Sequence, residues 1–156
     1  MTLNFVALAT GDVAALQKGS PDANGQTPER HISDGEGMPC RHCLQNIGAG
    51  EPYLILAYRP FPNPQPYAEL GPIFLHAEAC PRFEGGAEIP PVLTSSPRYL
   101  IRGYGRDDRI VYGSGKVVPR ETLADKAEET FQDPRIAYIH VRSSTNNCYQ
   151  CRIERG

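Results

Sequence analysis

Tryptophan is absent from this 156-residue chain, lysine occurs only at Lys18, Lys116 and Lys126, and methionine only twice. No apolar stretch approaches the roughly 20 residues that a membrane-crossing helix needs, which excludes a span of that kind. No basic leader precedes the first apolar run, which breaks at Thr10 to Asp12, so the amino terminus does not read as an export signal. The expectation is a cytoplasmic protein with its cysteines as thiols or metal ligands. Their odd count of five argues against a complete disulfide framework. Neither sign of charge dominates: 16 cations face 18 acids, for a net charge of −2. That balance disfavours nucleic acid as a partner. The shortage of lysine leaves arginine as nearly all of the positive charge. Guanidinium forks suit carboxylate and phosphate recognition, although GC-rich coding bias accounts for the composition more simply.

Glycine and proline are plentiful, 15 of each, and demand long stretches of turn and loop. The length suits one domain, 1–156, with a core of its own. Leu3 to Leu8 alternates as a first strand. Asp12 then reads as the cap of a short helix through Val13, Leu16 and Gln17 that Gly19 stops. Ser20 to Pro39 is polar loop with an extended piece at Arg30 to Ile32. Tyr53 to Tyr58 and Gly71 to Leu75 are strand-like runs. Between them, prolines at 60, 62, 64 and 66 force an extended path without ladder donors. His76 to Cys80 reads as one helical turn ended by Pro81. Arg98 to Tyr104 and Arg109 to Tyr112 read as a hairpin around Gly105 to Asp108. Arg120 to Gln132 is the clearest helix, with Leu123, Ala127 and Phe131 at four-residue steps. Arg135 to Arg142 and Tyr149 to Arg155 close the chain as strands. The fold class is therefore α+β: a small treble-clef-like knuckle plus β-hairpin (39–83) inserted in a mixed sheet packed by one main helix, with 98–156 supplying hairpin, helix and two strands.

The residues that carry chemistry begin with Cys40-Arg41-His42-Cys43. Two thiolates at this spacing in a turn can hold one metal ion, while His42 between them is expected to face solvent. His76 and Cys80, four residues apart on a helical turn, would share a face and supply the other two ligands. The order of knuckle, hairpin and helix start resembles treble-clef zinc modules. It departs from them in the three residues between the last two ligands, where two are usual. Three thiolates and one imidazole make a closed tetrahedral shell for a structural Zn(2+). The alternative is that Cys40, Cys43 and Cys80 are ordinary core residues and His76 a hydrogen-bonded loop histidine.

Cys148-Tyr149-Gln150-Cys151 allows two further readings: completion of a four-cysteine site with Cys40 and Cys43, or a redox dithiol. Strand periodicity opposes both, because residues three apart in a strand face opposite ways. Arg59, Tyr67 and Glu69, on the rigid proline loop, are candidate ligand-binding residues. The same loop would serve equally well as a cover over the core. Gly103, Gly105, Gly113 and Gly115 are better read as hairpin and bulge glycines than as phosphate loops.

The segments Pro39-Cys40-Arg41-His42-Cys43-Leu44, Gly50-Glu51-Pro52, Tyr58-Arg59-Pro60-Phe61, Gln65-Pro66-Tyr67-Ala68-Glu69, Gly71-Pro72-Ile73-Phe74-Leu75-His76 and Cys148-Tyr149-Gln150-Cys151-Arg152 resemble the bacterial domain of unknown function 1203 family. The resemblance runs over nearly the whole chain. It implies a bacterial, cytosolic, single-domain protein and assigns no activity or catalytic residue. The leading functional reading is a non-enzymatic, zinc-stabilised module that binds a protein or small-molecule ligand through the loop from Arg59 to Glu69. The alternative is a thiol enzyme using Cys148, Cys151 or Cys80, with His76 or His140 as base. A third reading, nucleic-acid binding, needs Arg98, Arg102, Arg109 and Arg152 on one face.

Overall fold

The structure is a computed structural model that describes residues 2–156. In chain order the elements are β1 (Leu3–Val6), α1 (Thr10–Gln17), β2 (Glu29–Ile32), β3 (Pro52–Tyr58), β4 (Gly71–His76), β5 (Arg98–Tyr104), β6 (Lys116–Pro119), α2 (Leu123–Thr130), β7 (Tyr138–Ser143) and β8 (Tyr149–Arg155). The strands form two sheets, one of five in the order β1-β8-β7-β5-β6 and one of three in the order β2-β3-β4. Every strand pairing in both is antiparallel. The α+β class and the knuckle are thus present. No helix among the described residues is long and apolar enough to cross a membrane.

Period-two alternation decides what each face of the larger sheet does. Phe5, Tyr99, Ile101, Ile139, Val141, Cys151 and Ile153 point to one side and bury α2 through Leu123, Ala127 and Phe131. The other side carries Tyr104 and Tyr138, on which Phe61 of the proline loop packs. The smaller sheet makes a second core with Val13 of α1 and with Cys40, Cys43 and Ile47.

α1 begins after Ala9, without a side-chain cap. Asp12 lies inside the first turn rather than at the cap, where its charge still suits the positive end of the helix dipole. The helix stops as expected. Gly19 takes φ +98°, and the N–H groups of Gly19 and Ser20 donate to the carbonyls of Leu16 and Ala15, a Schellman closure.

Two further expectations are corrected. The turn of the Arg98 hairpin is real, with the Gly105 N–H on the Arg109 carbonyl at 2.9 Å. Its second arm, however, is a single bridge between Tyr104 and Ile110. The chain loops out through Gly113 (φ +91°) and pairs with β5 only from Lys116. The turn at Gly113 bends the arm away, and Ser114 fills the gap, its hydroxyl accepting the Gly103 N–H and donating to the Val111 carbonyl. Nor is His76 to Cys80 a helical turn. His76 ends β4, and the residues to Cys80 form a bend, consistent with Pro81 denying a helix any continuation.

Candidate metal centre

The knuckle from Cys40 to Leu44 is built from backbone hydrogen bonds that bend the chain tightly. The Leu44 N–H donates to the Cys40 carbonyl and the Cys40 N–H to the Gln45 carbonyl, both at 3.0 Å. Closing so short a loop puts Leu44 in the left-handed region at φ +55°, uncommon for a residue with a branched side chain. Packing maintains it: Leu44 is fully buried in the core under the larger sheet, while Cys40 and Cys43 lie in the core of the smaller one. The Arg41 N–H donates to Phe74 of β4, and its carbonyl accepts from Leu8 just after β1. The knuckle therefore joins the two cores.

β4 delivers His76 to this knuckle and the following bend delivers Cys80. One ligand atom from each of Cys40, Cys43, His76 and Cys80 lies within 4.8 Å of all the others. Cys40 Sγ is 4.0 Å from Cys80 Sγ, and Cys43 Sγ is 3.5 Å from His76 Nδ1. The sequence-predicted quartet is thus assembled, on a strand end and a bend instead of a helix.

Around the quartet lie groups suited to holding it. The His76 N–H points at Cys40 Sγ at 3.4 Å. His76 Nε2 is 3.2 Å from Glu51 Oε2, and that oxygen also accepts the Gly48 N–H. His42, expected in solvent, is buried. Its Nδ1 is 3.1 Å from Cys80 Sγ and its Nε2 is 2.9 Å from Thr10 Oγ1. The reason is topological: the knuckle is covered by the start of α1 on one side and by Phe83, whose N–H donates to the His42 carbonyl, on the other. With Nδ1 donating to sulfur, Nε2 accepts from the Thr10 hydroxyl. Arg41 is buried too, and its guanidinium donates to the carbonyls of Tyr149 and Pro39 at 2.7 and 2.6 Å. Burial lowers its pKa to about 10, so it stays charged at neutral pH.

The thiols do not titrate as equals. Cys43 and Cys80 both donate toward Cys40, which holds its pKa far below the ordinary thiol range. A thiolate there, together with burial, pushes Cys43 up to about 11 and Cys80 higher still. The protein's own groups support one negative charge in the cluster, and a second or third thiolate calls for a cation beside them.

The other candidates are placed apart from this cluster. Cys151 faces the main core and burial lifts its thiol to about 12. Cys148 is half-buried at the entry to β8, 3.8 Å from the Asn146 carbonyl. Neither joins the four clustered residues, so the four-cysteine alternative does not form. His140 is fully buried among Tyr104, Tyr149, Phe61 and Tyr138, with ring centroids at 4.6, 4.9, 5.1 and 5.2 Å. Burial, then Arg142, Arg152 and Arg102, holds its pKa well below the ordinary value. On the proline loop, Arg59 Nε donates to the Phe61 carbonyl at 3.3 Å and the Tyr67 hydroxyl meets that of Tyr112 at 2.9 Å. Glu69 Oε1 lies 2.6 Å from Arg102 and 2.8 Å from Arg142. Arg102 and Arg152 flank His140 on the sheet face beneath that loop. Sequence reasoning missed the supporting roles of His42, Glu51 and Thr10. The only local signal was a histidine inside the Cys-x-x-Cys pair.

A family model described as Protein of unknown function (DUF1203) matches residues 37–155, most of the chain and all four converging residues. No curated protein and no solved structure matches it.

Proposed function

For a chain that belongs to the DUF1203 family, whose description names no activity, we propose from the geometry a zinc-stabilised, non-enzymatic binding module. The observation that carries this reading is the convergence of three sulfurs and one imidazole nitrogen from separate parts of the chain. Zinc bonds of about 2.3 Å to sulfur and about 2.0 Å to nitrogen, at tetrahedral angles, place two sulfurs about 3.8 Å apart and a sulfur and nitrogen about 3.5 Å apart. Two of the distances here, 4.0 and 3.5 Å, lie close to those values, and all four atoms lie within 4.8 Å of one another. Cys40, Cys43, His76 and Cys80 would hold it. Glu51 would orient the His76 ring and His42 would hydrogen-bond the Cys80 sulfur, as partners of metal ligands commonly do.

Charge supports the same reading. Three thiolates around a dication leave a net charge of −1, and buried Arg41, with no carboxylate on its guanidinium, supplies the matching +1. A shell filled by four protein ligands leaves no position for a reactive water, so the ion's contribution is to hold the two cores together. Thiol chemistry finds little support: Cys151 is sealed in the core with its pKa raised, and Cys80 belongs to the quartet. The binding surface in this reading is the loop of Arg59, Tyr67 and Glu69, which takes a protein or small-molecule ligand in a bacterial cytoplasm.

Cobalt(II) substitution tests the site. Protein refolded with cobalt is expected to show visible d–d bands of tetrahedral strength and a near-ultraviolet sulfur-to-cobalt charge-transfer band of three-thiolate intensity. Cys43→Ser should lower that band by about a third. Weak octahedral bands without a charge-transfer feature would overturn the assignment.

A further inference from the structure

Beneath the proline loop, the face of the larger sheet that does not pack on α2 carries more buried charge than its partners neutralise. Arg142 is 3% exposed and Arg102 is largely covered, and both guanidiniums converge on a single oxygen of Glu69. Arg152 is paired with Glu154 at 2.8 Å, and Asp108 is committed to the Tyr138 hydroxyl. One positive charge of the Arg102–Glu69–Arg142 trio therefore has no counterion. The hydrogen bonds leave a matching gap. Arg142 reaches the Asn147 carbonyl through Nη1 and His140 Nδ1 through Nη2, but its buried Nε–H has no partner among the described residues. Because His140 stays neutral, it adds no charge and serves as an acceptor that orients the guanidinium. A buried guanidinium charge without a counterion is costly and favours an anion beside it.

A cavity of about 160 Å³ lies beside Arg142, lined by Tyr58, Glu69, Pro72, Arg142, Cys148 and Tyr149 among others, although the buried Nε itself is closed off from it. At about 30 Å³ per water molecule it holds about five waters or one small anion, and it is too small for a nucleotide or a peptide. Tyr58 is protonated at any physiological pH, since burial lifts its pKa to about 12. The wall thus offers a cation and a neutral phenol, with one carboxylate, Glu69, at the rim.

We propose that this cavity is a binding site for a small oxyanion, a carboxylate or phosphate group, held by the Arg142 guanidinium with Glu69 as the internal carboxylate that competes for it. The proposal rests on the binding-module reading for its context and names the ligand's chemistry. It does not rest on the metal.

The probes are sodium acetate and sodium phosphate, titrated into the full-length, metal-replete protein against sodium chloride at matched ionic strength. The signal followed is the Arg142 Nε–H resonance by NMR. A saturable shift is expected from at least one oxyanion and not from chloride. Saturation by phosphate alone identifies a phosphoryl ligand, and by acetate alone a carboxylate ligand. Glu69→Gln removes the competing negative charge a few ångströms from the site and should tighten binding by about tenfold. Cys148→Leu fills part of the cavity and should abolish the shift. If Cys148→Leu fails to fold, Glu69→Gln alone decides. No saturable shift with either anion, or a shift that Glu69→Gln leaves unchanged or weakens, would overturn the proposal. Absence of binding in a protein that holds stoichiometric zinc removes this inference only, whereas binding in a protein that holds no zinc removes only the metal reading.

Discussion

Acidification should destabilise this protein through His140 in a way that one substitution removes. The imidazole has no exposed surface and is ringed by four aromatic side chains. Burial and then the guanidiniums of Arg142, Arg152 and Arg102 keep its folded pKa well below that of the unfolded chain. The sign follows from linkage: the folded state binds fewer protons, so the stabilisation is complete above the unfolded pKa of about 6.5 and is lost as pH falls below it. Each pH unit below that point costs up to about 1.4 kcal/mol. Between pH 8 and pH 5 the loss reaches up to about 2 kcal/mol, or about 4–8 °C in Tm for a chain of this length. Other groups also contribute to the pH dependence of stability, so the quantity to measure is a difference. His140→Phe keeps the ring's bulk among Phe61, Tyr104, Tyr138 and Tyr149 and removes the titration. Urea unfolding of both proteins at pH 8 and pH 5 should show the wild type losing more than the variant, by up to about 2 kcal/mol. Equal losses in both would show that the native ring accepts its proton without penalty and would refute the reasoning.

Other outcomes follow from particular contacts. A Cβ on Gly103 would stand 2.7 Å from Cδ1 of fully buried Ile136 and 3.1 Å from Ser114 Oγ, so Gly103→Ala should cost about 1–3 kcal/mol in urea unfolding. Unchanged stability would show that this corner is loosely packed. His42→Ala removes the donor to Cys80, and Glu51→Gln removes the carboxylate beside His76. Each should weaken metal binding about 10–100-fold in competition with a chromophoric chelator, and an affinity equal to wild type would remove those residues from the site. Glu69→Ala leaves Arg142 buried beside Arg102 with no carboxylate, so it should lower stability by about 1–3 kcal/mol. A neutral result would mean that solvent already screens the pair.

The elements legible in the sequence were those whose own residues determine them. α2 declared itself through Leu123, Ala127 and Phe131 at helical spacing, and β3 and β4 through short apolar runs bounded by Gly and Pro. The four clustered residues were legible because Cys-x-x-Cys and a His–Cys pair are constrained by the reach of their side chains, which tolerates either a helix or a bend. What could not be read depended on parts of the chain distant from it. His42 is buried because α1 and Phe83 close over the knuckle, and nothing local encodes that. The β6 strand was missed because Gly113 carries the chain out of the hairpin and Lys116 re-enters it. The proline loop's backbone was legible, but its position over His140 and Arg142 depends on Phe61 finding Tyr104 across more than 40 residues.

Zinc content per chain of the native purified protein, paired with a count of reactive thiols before and after chelation, tests the central claim most directly. One zinc per chain is predicted, with Cys40, Cys43 and Cys80 reacting only after the metal is withdrawn and Cys151 remaining protected until the chain unfolds. A protein purified without metal, whose Cys43 and Cys80 react at once while the fold stays intact, would contradict the account.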